Sequence, residues 1–560
     1  MTSPQLSALS ARLVNLALVL AIAAAVAVVY WPGVHGFWGR DDFFQLAFVR
    51  LLDTPWSLFV DDYFPVPGSV FRPLGVASMW LGAALLGTDY PAHAICDLVL
   101  HAGVAVALFG LLLRARIPRA LALACTLLFA LHPAVIGTAL WWSARFDLLA
   151  TLFILLAVRA ALGYREQPRT IVLTCTCVAI FAAMLSKEIG LAALLPIVVL
   201  WLRWAWLERA HRATALRAIA SVCLCAAAYF GWRWYVLATP TSGLTGTTAV
   251  TTVVMHGLSD WWQQMPGYLV FWVRLGLLQR IALGLALVSL LVAVGVAMFR
   301  RRVPPGRYTH VDLVLCGIGL FLLPALLQAP ITALNGAPLR AGDSVIETAM
   351  QSRLYYLGVA GLAIALAAFL AQVWTGVALR LRICMAAPLL VVLIVFAGLS
   401  HQSARAFAQR SMHISNVARA AVAAVETLDL PASRCQIGFL GVEPASEWGI
   451  YVSMDSVVKA LIPDLDRVKH CYIHSDYVTY FYLLGAPIAI ADAMPYRPLL
   501  VNGVAVPPRR IGDAVIDYRS PPDPVDLHQP TFMHFLRYRE GHFDDVSADV
   551  VAGRIPATLR

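Results

Sequence analysis

The chain has 560 residues, 60% hydrophobic and 13% charged, with a formal net charge of +10. That apolar share describes a polytopic membrane protein and excludes a soluble globular one. The basic excess does not point to nucleic acid, because the arginines fall in short clusters between apolar runs, where they act as topology signals. Lysine occurs only at Lys187, Lys459 and Lys469, while alanine and arginine abound. Such usage suits a GC-rich bacterial genome, and hence an inner membrane.

In chain order, residues 1–12 are polar and end at Arg12. The apolar run 13–31 lacks a small-residue cleavage site and reads as a retained helix, not a signal peptide. A first outer loop, 32–90, carries Trp38-Gly39-Arg40-Asp41-Asp42 and later Arg72-Pro73. The apolar stretch from Phe71 to Leu86 is short for a crossing and reads as an interfacial or re-entrant helix. Spans are expected near 92–113, 119–135, 146–163, 170–186, 189–205, 217–237, 281–299, 311–329, 357–374 and 384–400. With the first, that makes about eleven transmembrane helices.

Arg114/Arg116/Arg119, Arg165/Arg169, Arg203 to Arg217, Arg300 to Arg307 and Arg380/Arg382 fall between alternate pairs of spans. Positive short loops stay cytoplasmic. The N-terminus is therefore expected inside, and the Asp41 loop and the tail outside, facing the periplasm. The fold class is mainly α: a membrane helix bundle over 1–400, followed by an extracytoplasmic α/β domain over 401–560.

The outer face then collects acids (Asp41, Asp42, Asp147, Glu188) and bases (Arg72, Arg145, Lys187, Arg353), with His132 and Tyr355 nearby in the same loops. Lys187-Glu188 stands in a tight turn between two apolar helices, where an ion pair is poorly solvated and expected to be buried with a partner. Trp261-Trp262 and Arg274 read as interfacial anchors. One chemistry suits acids and cations at a membrane edge: group transfer from a lipid-linked phosphate. Cations hold the charge growing on the leaving phosphate. A carboxylate takes the acceptor's proton.

The order of these elements carries a resemblance. An acidic pair in the first outer loop is followed by His132-Pro133 with Trp142-Ser143-Ala144-Arg145-Phe146-Asp147, then Leu185-Ser186-Lys187-Glu188-Ile189-Gly190, then Ser352-Arg353-Leu354-Tyr355-Tyr356. Over roughly residues 10–400 this resembles the GT-C glycosyltransferase superfamily, most of all its protein O-mannosyltransferase branch, though without tetratricopeptide repeats. The resemblance implies a polyprenyl- or dolichyl-phosphate sugar donor, an extracytoplasmic acceptor, an inverting transfer and a catalytic Asp, here Asp41 or Asp42. Asp41 is taken as the base and Asp42 as its orienting neighbour. Arg72, Arg145, Lys187 and Arg353 are taken as the phosphate cradle, with His132, Asp147, Glu188 and Tyr355 supporting. Two donor forms stay open. A diphosphate would be held with Mg or Mn at the acidic pair; a monophosphate would need no metal, and the supply of cations favours it.

In the tail, short apolar runs alternate with turns. Cys435 and Cys471 either form a disulfide on an oxidising outer face or stand as two buried thiols. The CxC pairs Cys175/Cys177 and Cys223/Cys225 read as helix packing, not metal ligation. Two other classes compete with the transferase: a lipid-linked glycan polymerase or ligase, and a transporter or flippase. The second would show charges inside spans, broken helices and repeated halves.

Overall fold

The computed structural model describes residues 3–39, 41–61, 70–237, 250–270, 275–299, 308–335, 352–374, 378–431, 435–441, 454–469, 471–475, 482–483, 486–487, 499–501, 504–506, 509–511, 514–516 and 533–554. Its helices, in chain order, are α1 (Ser3–Tyr30), α2 (Asp41–Arg50), α3 (Pro73–Leu86), α4 (Tyr90–Arg114), α5 (Arg119–Ala130), α6 (Ile136–Leu140), α7 (Arg145–Glu166), α8 (Thr170–Ser186) and α9 (Leu194–Leu207). They continue with α10 (Arg212–Leu237), α11 (Val250–Val270), α12 (Leu277–Phe299), α13 (Tyr308–Asn335), α14 (Tyr356–Trp374), α15 (Leu379–Thr427), α16 (Met454–Leu461) and α17 (Ser547–Val551). The chain divides into two compact units: 1–34, 94–233 and 254–406 in one, and 35–93, 234–253 and 407–560 in the other.

The first unit is a membrane helix bundle. Among the described residues of the chain, nine helical segments are long and apolar enough to cross a bilayer. The expected span at 119–135 is broken instead: Arg119–Ala130 and Pro133–Leu140 meet at 52°, a geometry that makes a tenth crossing if the pair is one broken span rather than a re-entrant loop. Pro133 lacks an amide proton and cannot continue a helix through this point. The 17-residue α8 is apolar but short, and it supplies the eleventh expected element. Large apolar side chains such as Leu20, Val28, Leu224, Leu285 and Ile394 are exposed on these helices, as a surface facing hydrocarbon requires.

Small residues let helices meet backbone to backbone, the usual device where lipid removes the hydrophobic drive for association. A Cβ on Gly317 of α13 would lie 2.5 Å from the Gly361 carbonyl of α14, and one on Gly361 would lie 2.6 Å from the Gly317 carbonyl. Arg165 ends α7 and Arg203 stands near the end of α9. Both donate to the buried Asp312 carboxylate of α13, at 2.6 and 2.5 Å. Arg165 and Arg203 thus share one buried carboxylate partner.

The second unit contains the loop that follows the first span and the tail. Its main sheet uses β1 (Cys435–Leu440), β2 (Cys471–Ser475), β9 (Met533–Arg539) and β10 (His542–Asp545), with β1 parallel to both β2 and β9. Six short strands between Tyr482 and Ile516, β3 to β8, pair as three antiparallel ribbons. Parallel neighbours need a crossover; α16 supplies it between β1 and β2, so the tail is α/β. Cys435 and Cys471 are direct register partners, and a disulfide joins them at a Cα separation of 4.5 Å. Asp455 and Lys459 of α16 form a buried ion pair at 2.7 Å. Burial pushes the Asp455 carboxyl up to about 6, while the Lys459 ammonium pulls it back.

Candidate functional site

The helix breaks of the first unit organise its polar groups. Breaking the chain between Ala130 and Ala134 orphans backbone groups that must find other partners. The Ala130 carbonyl accepts from Tyr30 Oη at 3.1 Å and meets His101 Nε2 at 2.9 Å. A carbonyl only accepts, so Nε2 carries the proton and Nδ1 accepts from Tyr356 Oη at 2.8 Å. The Leu131 carbonyl accepts from Ser400 Oγ at 2.9 Å, and the Ala134 amide donates to His132 Nδ1 at 3.0 Å. His132 is therefore the N-cap of the turn that follows the break, its ring set edge-on against Phe396.

Beyond this break, two turns of 3-10 helix and the short α6 deliver Trp141, Trp142 and then Arg145 at the start of α7. Arg145 is buried, and its Nε donates to Asp97 Oδ1 at 2.6 Å. Two residues further on, Asp147 receives Lys187 Nζ on both oxygens at 2.7 Å. An acidic residue in the first turn of α7 also suits the positive helix end.

Lys187 stands where α8 ends. The 3-10 turn Glu188–Ala193 folds back so tightly that a Cβ on Gly190 would lie 2.4 Å from the Ala183 carbonyl carbon. Only glycine fits there without displacing backbone. Glu188 faces Arg233 of α10 at 3.9 Å. Another 3-10 turn, Arg353–Tyr355, precedes α14. The Arg353 guanidinium lies 4.2 Å from the Trp141 ring centroid, a cation–π contact. Tyr355 donates to the Trp261 carbonyl at 3.0 Å and stacks on its ring.

Three of the four sequence elements thus meet in one bundle. Arg145, Lys187, Arg353, Asp147, Glu188, His132 and Tyr355 all occupy or flank the breaks. Sequence reasoning missed Asp97. It lies in the apolar run Ile95 to Leu100 of α4, and a carboxylate there is a signal in itself. Asp97 is buried, and its Oδ2 has no hydrogen-bond partner among the described residues. Trp261 is no interfacial anchor: it is buried between Tyr355 and Phe321, whereas Trp262 is exposed. Arg274 and Arg40 lie outside the described residues.

Among the described residues, Asp97, Asp147 and Glu188 face Arg145, Lys187 and Arg233, and Arg353 lies against the Trp141 ring. Each expected phosphate ligand in this bundle already holds a carboxylate or a ring. An incoming phosphate would exchange one anionic partner for another; it would not fill an empty cationic hole.

The acidic pair belongs to the second unit and opens α2. The backbone reverses on itself here: Asp42 N–H donates to the Gly39 carbonyl at 3.0 Å, and the Gly39 amide donates to Asp42 Oδ2 at 3.2 Å. Asp42 is fully buried, while Asp41 is half-buried. Upstream, Phe37 N–H donates to Ser411 Oγ at 2.9 Å, and the Trp38 indole donates to the Thr88 carbonyl at 3.2 Å. Arg72 is the half-buried N-cap residue of α3, just before Pro73 at the first helical position.

These features define a multi-pass membrane protein with buried ion pairs at helix breaks. No family model and no curated protein matches the sequence. Among solved structures, the chain is similar to ArnT from Cupriavidus metallidurans bound to undecaprenyl phosphate, at a TM-score of 0.43 and 11% identity over 80% of this chain and 86% of that one. It is also similar to the arabinofuranosyltransferase AftD from mycobacteria, at a TM-score of 0.43 and 17% identity over 82% of this chain and 32% of that one. The chain thus spans about a third of the AftD length.

Proposed function

We propose that the protein is a membrane glycosyltransferase of the GT-C type, moving a sugar from a polyprenyl-phosphate donor to an extracytoplasmic acceptor. The observation that carries this reading is the pair of buried ion pairs, Asp97–Arg145 and Asp147–Lys187, set with Arg353 at the 3-10 turns that precede α7, α9 and α14. Buried charge in a membrane bundle is costly and marks a working site. The breaks fall within the motifs whose order resembles this superfamily.

In the reaction, Asp41 takes the proton of the acceptor hydroxyl. The acceptor oxygen bonds to the anomeric carbon as the bond from that carbon to the donor phosphate oxygen breaks. The electron pair leaves on the phosphate, and a single displacement inverts the anomeric centre. Arg145, Lys187 and Arg353, with Arg72, meet the new charge. Asp42, buried and engaged with the Gly39 amide, braces the turn that carries Asp41. The donor is a monophosphate on this reading, and the protein sits in a bacterial inner membrane with the Asp41 loop facing the periplasm.

The test uses purified protein in lipid with radiolabelled polyprenyl-phosphate sugars. Release of polyprenyl phosphate together with labelled, anomerically inverted product is expected. Absence of release from every hexosyl and pentosyl donor, in a folded sample, overturns the reading.

Asp97 inside α4 and the 52° break after Ala130 also favour a transporter or flippase. That reading expects a lipid phosphate to cross the bilayer of proteoliposomes without sugar transfer, and the same preparation measures both.

A further inference from the structure

Helix α2 runs from Asp41 to Arg50, ten residues. Helices this short do not persist alone in water, so the direction in which Asp41 points is set by whatever holds α2. Its flanks are wedged by Phe43, Phe44, Leu46 and Phe48, all buried. Its far end is fixed by hydrogen bonds. Arg50 Nη1 donates to the Lys459 and Ala460 carbonyls at 3.0 and 2.8 Å, and Nη2 donates to the Ile462 and Pro463 carbonyls at 2.8 and 3.3 Å. Lys459 and Ala460 lie in the last turn of α16, where no intrahelical donor remains for their carbonyls, and Ile462 and Pro463 follow just past its end. A cation at that end also meets the negative pole of the helix.

The other side of this clamp is fixed in turn. The carbonyl of Lys459 accepts from Arg50. Its buried ammonium pairs with Asp455 at 2.7 Å and donates to the Cys471 carbonyl at 3.0 Å. Cys471 is joined to Cys435 of the neighbouring strand. A continuous set of bonds therefore runs from the sheet, through Lys459 and the end of α16, to the last residue of the helix that begins with the acidic pair. All of these groups belong to one compact unit.

We propose that Arg50 is a positioning residue for Asp41, and that the tail's α/β fold serves to hold α2 by this guanidinium clamp. The functional half of the proposal rests on the reading of Asp41 as the base. Asp41 and Arg50 stand about 14 Å apart along one helix axis, so a tilt at the clamped end displaces the carboxylate at the other. Displacements near 1 Å at a reacting centre cost about 10²-fold in rate.

The experiment compares the full-length protein in lipid with Arg50→Ala and Arg50→Lys, reading hydrogen–deuterium exchange over 41–50 and steady-state kinetics with a polyprenyl-phosphate sugar. For Arg50→Ala, exchange in α2 is expected to rise at least about tenfold and kcat to fall about 10²-fold, with the donor KM held within about twofold. Arg50→Lys keeps the charge but offers no planar fork, and should fall between the two in both readouts. It also serves where Arg50→Ala does not fold. Unchanged exchange, or an unchanged kcat in a folded Arg50 variant of a wild type that turns over, overturns the proposal. Raised exchange beside a wild type that transfers no sugar sustains the clamp while sinking the transferase reading.

Discussion

At the scale of single residues, the two neighbouring aspartates are in unlike surroundings. Asp42 is buried with its carboxylate on the Gly39 amide, whereas Asp41 is half-buried. Asp41→Asn should abolish turnover and leave donor binding intact, because the amide keeps size and hydrogen bonding and loses basicity. Asp42→Asn retains an oxygen for the Gly39 amide and should be the milder change. Single-turnover rates beside equilibrium binding of the lipid donor separate the two, and an active Asp41→Asn would remove Asp41 from the chemistry. Lys187 calls for a different measurement. Removing it strands Asp147, and an uncompensated buried charge costs about 3–5 kcal/mol. Lys187→Ala should therefore lower thermal stability as well as activity. Lys187→Met combined with Asp147→Leu should recover the stability and remain inactive. Recovery of activity in the double variant would make the pair a scaffold only.

At the scale of elements, the disulfide between β1 and β2 offers a clean test. It closes a segment of 36 residues; a loop of that size contributes about 2–4 kcal/mol. Cys435→Ser and Cys471→Ser should each lower the unfolding temperature of the tail, and thiol labelling of the untreated protein should modify neither cysteine. The sequence left this pairing open, because two cysteines in a polar tail do not reveal that their strands are register partners. The breaks were partly legible. His132-Pro133 and Lys187-Glu188 stood out as turns, and the resemblance ordered them. Asp97 stayed hidden because one carboxylate in an apolar run has no local sign of its partner, and Arg145 lies 48 residues away. Arg50 was invisible for the same reason, since its carbonyl partners follow about 410 residues later.

At the scale of the molecule, composition and spacing were enough to read a mainly helical, multi-pass chain with an α/β tail. The count of eleven holds when the broken pair and the short α8 each cross. That parity predicts that the Asp41 loop and the tail lie on one side of the bilayer. Single cysteines introduced in the first outer loop and in β10, on a background stripped of exposed thiols, should both react with a membrane-impermeant maleimide added from the periplasmic side. Reaction of one from outside and of the other only after permeabilisation would break the topology and the functional reading with it.

The lock around Asp312 has a meaning in time. Arg165 and Arg203 precede their shared carboxylate by 147 and 109 residues. A ribosome adding about 5–20 residues per second makes the second of these arginines about 5–20 s before Asp312. Through that interval Arg165 has only Glu208, at 3.6 Å in the finished bundle, and Arg203 waits for its carboxylate. Arrival of α13 converts them from signposts into a latch, neutralising its own carboxylate in the same step. A nascent chain that stops short of Asp312 leaves both guanidinium groups without the carboxylate they share, a mark by which unfinished copies differ from finished ones.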